Sequence, residues 1–189
     1  LWLGEDSAAV RALERALSLE PARAISLHDL AFNVYRDAPR ALALLDSAVA
    51  LHTGHLFTHF TRGSLLLQLR RPADALRDAD AIASRAPEAP SSAVLRTGAY
   101  AMLGDTARAR EEGRRFLRPR ADGGFWGVFA NLALGDTAWA LEHLEHVPVS
   151  ERGTMLWSIL RLPEFDALRG NARFERVYQA SRPTGARAP

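Results

Sequence analysis

Leu103-Gly104-Asp105-Thr106-Ala107-Arg108-Ala109 returns as Leu134-Gly135-Asp136-Thr137-Ala138-Trp139-Ala140, six identities in seven at an offset of 31. The seven residues read as a boundary between two helices. Gly ends one helix in the left-handed conformation that side chains resist, and Asp then caps the next. Working outward, a step of 34 back from Ala109 lands on Ala75, another 34 on Ala41, and a further 32 on Ala9. At Arg71-Pro72 and Ala38-Pro39 the Pro falls in a first helical turn, where its missing N–H costs nothing.

The surroundings repeat as well. Nine residues before these alanines stand Phe32, Leu66, Tyr100 and a discordant Asn131; seven after stand Ala16, Ala48, Ile82, Phe116 and Val147. Each period therefore holds two helices that cross closely at the small residue. The spacing predicts helices at about 5–19, 22–35, 38–51, 55–69, 72–85, 90–103, 106–118, 124–134 and 137–146. Composition agrees: 34 Ala and 28 Leu stand against 8 Val and 3 Ile, which favours helix over strand. The fold class is all-α.

This pattern resembles the tetratricopeptide repeat, a helix–turn–helix unit of the same period. The matching marks are Ala9, Ala41, Ala75, Ala109 and Ala140 in the second helices, the aromatic or Leu late in the first helices, the closing Pro21 and Pro87, and Gly63. The family's large aromatic early in the first helix is replaced by Ile25, His59, Ala93 and Gly124. The resemblance implies a right-handed α-α superhelix over residues 1–147: a leading half-unit at 5–21, then units at about 22–53, 55–87, 90–121 and 122–147. Such arrays stack because one helix pair cannot bury its own apolar face.

After Val147-Pro148 the period lapses. Residues 148–181 read as a helical cap: a helix at 150–161, a short turn at Pro163–Leu168 closed by Gly170, and a last helix capped by Asn171 with Phe174, Val177 and Tyr178 on one face. Residues 182–189 read as a disordered tail. The run Leu162–Val177 resembles the ending of many bacterial tetratricopeptide proteins, whose arrays often follow a kinase, a nucleotide cyclase or a DNA-binding regulator. That implies a signalling context and no activity in these residues.

Several function classes find little support. All 24 basic residues are Arg against 22 acids, so the net charge is only +2 and makes no case for nucleic acid. The run Arg110, Arg114, Arg115, Arg118 and Arg120 is interrupted by Glu111 and Glu112. Arg62 and Arg96, 34 apart, hold equivalent places in successive units and read as a solvated face. Zero Cys excludes disulfides and thiolate sites and leaves the redox compartment open; a cytoplasmic setting is favoured. No apolar run approaches a membrane span, and Leu1-Trp2-Leu3-Gly4 shows no leader, so the chain reads as a piece of something longer.

His52, His55 and His59 would share a face if one helix ran through them, but Thr53-Gly54 interrupts and no acid nearby completes a metal set. His143 and His146, beside Glu142 and Glu145, read as a solvated face, and the adjacent His28 and Asp29 as pointing apart. No phosphate loop or nucleophile elbow occurs. The expectation is no cofactor, no metal and no catalysis, with a cryptic metal-dependent enzyme as the weakest alternative.

The resemblance instead implies a concave groove lined by the first helices, here Asn33, Phe57, Phe60, Ser64, Val94, Phe125 and Phe129. The expected function is protein–protein interaction, as a scaffold or regulatory module taking a partner peptide in that groove. The alternative is a ligand-sensing or regulatory domain attached to a bacterial kinase, cyclase or transcription regulator. The four Phe also suit inter-helix core, and the sequence does not choose between groove and core.

Overall fold

The computed structural model describes residues 7–51, 55–114, 125–147 and 154–182. Among them are eleven α-helices: α1 (Ser7–Leu19), α2 (Ala24–Asn33), α3 (Ala38–Ala50), α4 (Leu56–Gln68), α5 (Pro72–Arg85), α6 (Pro90–Met102), α7 (Thr106–Gly113), α8 (Trp126–Ala133), α9 (Thr137–Glu145), α10 (Thr154–Ile159) and α11 (Ala172–Ala180), with a 3-10 turn at Pro163–Leu168. Phe116 and the rest of the expected 106–118 helix beyond residue 114, and the tail from residue 183, lie outside the described residues.

The recurring boundary has one geometry at three places. Arg70, Gly104 and Gly135 all take positive φ, at 59, 79 and 74°. One residue later, Arg71 N–H donates to Leu66 O, Asp105 N–H to Tyr100 O and Asp136 N–H to Asn131 O, at 2.8, 2.9 and 2.9 Å. These six-to-one bonds close the last helical turn. The Asp105 and Asp136 carboxylates then accept from Arg108 N and Trp139 N, both at 3.1 Å, capping α7 and α9.

Successive helices pack on one another from α1 to α7 and again at α8 and α9, α11 returns to α9, and α4, α6 and α8 also lie side by side as an inner layer. Ala41, Ala75, Ala109 and Ala140 are fully buried, and Ala9 nearly so. The backbones approach closely elsewhere in the inner layer too. A Cβ on Gly63 would sit 2.6 Å from Leu95 Cδ1, and one on Gly98 2.7 Å from Leu67 Cδ1. The discordant Asn131 is buried with its amide donating to Gly127 O at 2.8 Å, so its polarity is absorbed by its own helix.

The core runs along the array in successive clusters. Tyr35, Ala41, Leu45 and Leu65 form one; Phe60, Ile82, Val94 and Leu95 the next. The last joins Val128, Leu141 and Leu144 to Trp157, Leu160, Phe165 and Phe174 of the C-terminal piece. Arg173 of α11 reaches Glu142 and Glu145 of α9 at 3.1 and 2.6 Å, fastening that piece to the last unit.

Candidate functional site

The inner face is built by side chains of α2, α4 and α8 that reach across their own curvature. Phe60 on α4 meets Trp126 and Phe129 on α8, with ring centroids 5.1 and 5.6 Å apart. Rings continue in both directions: His28 to Phe57 at 5.4 Å, Phe57 to Phe60 at 6.0 Å, and Phe129 to Phe165 of the 3-10 turn at 5.5 Å. Phe125 contacts Phe129 at 5.0 Å and Phe165 at 5.9 Å. Edge-to-face rings at these distances stabilise beyond their buried area.

Phe57, Phe60, Phe125 and Phe129 thus come together on one wall, joined by Ser64, with Val94 packed behind Phe60. Asn33 stands apart, buried at the end of α2, with its amide donating to Asp29 O at 2.7 Å. The wall is not bare. Leu162 packs on it beside Tyr35 and Leu65, and the next residues, Pro163, Glu164 and Phe165, follow across it. The space left among Phe57, Phe60, Phe125 and Phe129 is only about 40 Å³. Arg36, just after α2, pairs with Asp166 at 2.9 Å and donates to Arg161 O at 3.0 Å, so the C-terminal piece touches the start of the array.

Glu164 is the polar centre of this contact. Its Oε1 accepts from the Tyr35 hydroxyl at 3.0 Å, and Gln68 donates to the same hydroxyl at 3.4 Å. Its Oε2 is buried with no hydrogen-bond partner. Burial lifts the Glu164 carboxyl above the usual range. Burial, and then the neighbouring Glu164, lifts the Tyr35 hydroxyl as well. Glu164 also lines a second opening of about 300 Å³ between α4, α6 and α8, walled by Leu67, Leu95, Met102 and Phe129 with Arg70 among its lining.

The histidines separate. His52 lies outside the described residues. His55 faces His28 at 5.5 Å and bonds Thr58 at 2.9 Å; burial, then His28, lowers its pKa. His59 turns to Asp78 at 2.7 Å. No group of three or more metal-ligating side chains occurs among the described residues. Two readings need correction. His143 is buried against Gly127, because that bare backbone leaves room for a ring; only His146 faces solvent. His28 and Asp29 do approach, Nδ1 to Oδ1 at 3.4 Å, because adjacent Cα atoms are only about 3.8 Å apart and both side chains are long enough to close the angle between them. With Thr61 Oγ 3.1 Å from His28 Nε2, the three outline a hydroxyl–imidazole–carboxylate relay. The Thr61 O–H, however, is already given to Phe57 O at 2.9 Å, and both Thr61 and His28 are buried. These groups pin α2 to α4 and expose no nucleophile.

The arginines hold the array together. Arg62 on α4 bridges Asp46 on α3 at 3.0 Å and buried Asp78 on α5 at 2.7 Å. Arg96 on α6 bridges Asp80 on α5 at 2.9 Å and Glu112 on α7 at 4.0 Å. In both cases the acids lie sixteen residues before and sixteen after the Arg, and all six residues shift by 34 from one unit to the next. The staple, like the buried alanines, repeats with the period.

The chain folds as an all-α array of packed helix pairs whose buried alanines and arginine staples recur about every 34 residues.

Within the array, Arg62 and Arg96 are thus committed to structure rather than to a solvated face. The pattern was open to view as acids flanking each Arg at equal distance. Of the denser Arg run, Arg114 pairs with Glu111 at 3.3 Å, while Arg115, Arg118 and Arg120 lie outside the described residues. No family model matches the chain. No curated protein matches it. Among solved structures the array is similar to the MamA RS-1 ArsTM double mutant, with 19% identity and a TM-score of 0.49 over 72% of this chain and 80% of that one. No helix among the described residues is long and apolar enough to cross a membrane.

Proposed function

We propose that this array is a non-catalytic protein-interaction module, a scaffold or regulatory element whose inner face takes an apolar segment of a partner. One observation carries the reading: the wall of Phe57, Phe60, Phe125 and Phe129 already holds a chain segment, Leu162-Pro163-Glu164-Phe165, through ring contacts, apolar packing and one part-buried hydrogen bond. A wall that receives such a segment in cis has the chemistry to receive one in trans. The opening beside it, reached past Ser64 and Val94, is the part of the face left for a partner. The buried, spent hydroxyl of Thr61 supports a role without catalysis.

Ser64 lines both openings and is only half buried, so it reports on the face without breaking the core. Ser64→Arg should abolish capture of partners that the unaltered chain draws from the source cell's extract. Arg77→Glu, on the outer side and largely exposed, should leave the same partners bound. Equal capture by the Ser64 variant would remove the inner face from consideration.

A second reading, the sensing of a small ligand, draws on the cleft of about 450 Å³ where the C-terminal piece meets the start of the array, lined by Asn33, Arg36, Arg161, Arg169 and Tyr178. Substitution of Arg161 by Ala would abolish saturable ligand binding under this reading and leave capture of a protein partner intact.

A further inference from the structure

We propose that the opening between α4, α6 and α8 is a receptor for one basic side chain, Lys or Arg, presented by the partner segment. This rests on the inner face being the interaction surface and names what that surface selects.

The first support is charge. Glu164 lines the opening with its carboxyl withdrawn from water; the Gln68 amide, in the same lining, and the Glu164 backbone N–H stand beside the carboxyl, but Oε2 has no donor in good hydrogen-bond geometry. A buried carboxylate oxygen without a donor is costly, and an N–H brought to it removes that cost. The cations nearby do not serve it. Arg36 is engaged by Asp166 and Arg161 O, and Arg70, though among the lining residues, is exposed.

The second support is shape. Leu67, Leu95 and Met102 offer an apolar wall for an aliphatic stem, and the Phe129 ring can face a cation. Gly98 lets Leu67 lie close against α6 to form that wall: a Cβ there would run into Leu67 Cδ1. A volume of about 300 Å³ admits a single long side chain and not a helix. Lys and Arg combine an apolar stem with a terminal donor.

The test uses the full chain and capped tripeptides, acetyl-Gly-X-Gly-amide, with X as Lys, Arg, norleucine or Glu. Methyl resonances of Leu67, Leu95 and Met102 are followed by NMR during titration. The Lys and Arg peptides should shift them saturably, binding at least about tenfold more tightly than norleucine or Glu. Glu164→Gln should reduce Lys to the norleucine level, and Arg70→Gly, which removes a like charge from the lining, should tighten it. Equal binding of norleucine and Lys would make the opening a plain apolar slot and overturn the proposal. So would preference for Glu, no shift with any peptide, or an undiminished Lys preference in Glu164→Gln. If Glu164→Gln fails to fold, the peptide series on the unaltered chain decides alone. Partner capture lost in Ser64→Arg with no charge preference among the peptides would leave the inner-face reading standing and sink this one.

Discussion

Arg70 occupies the place that Gly104 and Gly135 hold in later units, and it carries the same left-handed backbone. A side chain costs about 1–2 kcal/mol there. Arg70→Gly should therefore raise stability by about 1 kcal/mol, read as a higher denaturation midpoint with unchanged slope. The two ends of the arginine staple differ in burial. Asp78 is fully buried and takes bonds from both Arg62 and His59, so Asp78→Ala should cost about 3 kcal/mol. Asp80 is largely exposed, and Asp80→Ala should cost less than about 1 kcal/mol. Glu164 has the opposite sign from an ordinary ion-paired acid. Its folded pKa is raised, so the folded state holds more protons between the unfolded and folded values, and stability falls as pH rises through that window. Glu164→Gln should match the unaltered chain in acid and become increasingly the more stable above the unfolded carboxyl range, levelling off beyond the folded pKa. Parallel curves across that range would show that the carboxyl is not held in the interior. Sequence reasoning found the equivalence of Arg62 and Arg96 but not their partners, because acids sixteen residues away stand out only when successive units are aligned, not from helix spacing.

At the scale of helices, punctuation made the boundaries legible. Gly104, Gly135, Asp105, Asp136 and the first-turn prolines act through local backbone geometry, which needs no tertiary knowledge. Where two helices touch, the same locality fails. Gly127 looks like an ordinary flexible residue, yet a Cβ on it would lie 2.2 Å from the His143 ring. Gly127→Ala should force that ring out and cost about 1–3 kcal/mol, measurable as a drop in the denaturation midpoint. The burial of His143 was hidden for this reason: Glu142, Glu145 and His146 around it read as a polar face, and only the facing Gly makes room.

At the scale of the whole molecule, curvature decides what the inner face is. The sequence named the wall residues one by one but not that Phe60 and Phe129, 69 positions apart, would meet. Nor did it show that the C-terminal piece would reach back to Arg36, because a capping role and an inner-face role place the same apolar residues at the same positions. The return of residues 161–166 to the first unit turns an open ribbon into one closed on itself, and the proposed docking face is what that closure leaves uncovered. The chain has no Cys, so one pair can be introduced without background. Arg36→Cys with Asp166→Cys removes a half-exposed ion pair and the exposed Arg36 bond to Arg161 O, which the fold should tolerate. A short bismaleimide applied to the dilute double variant should give a high yield of internally cross-linked monomer, against none in either single variant. A folded double variant that stays uncross-linked would place the C-terminal piece away from the first unit and contradict the closed inner face.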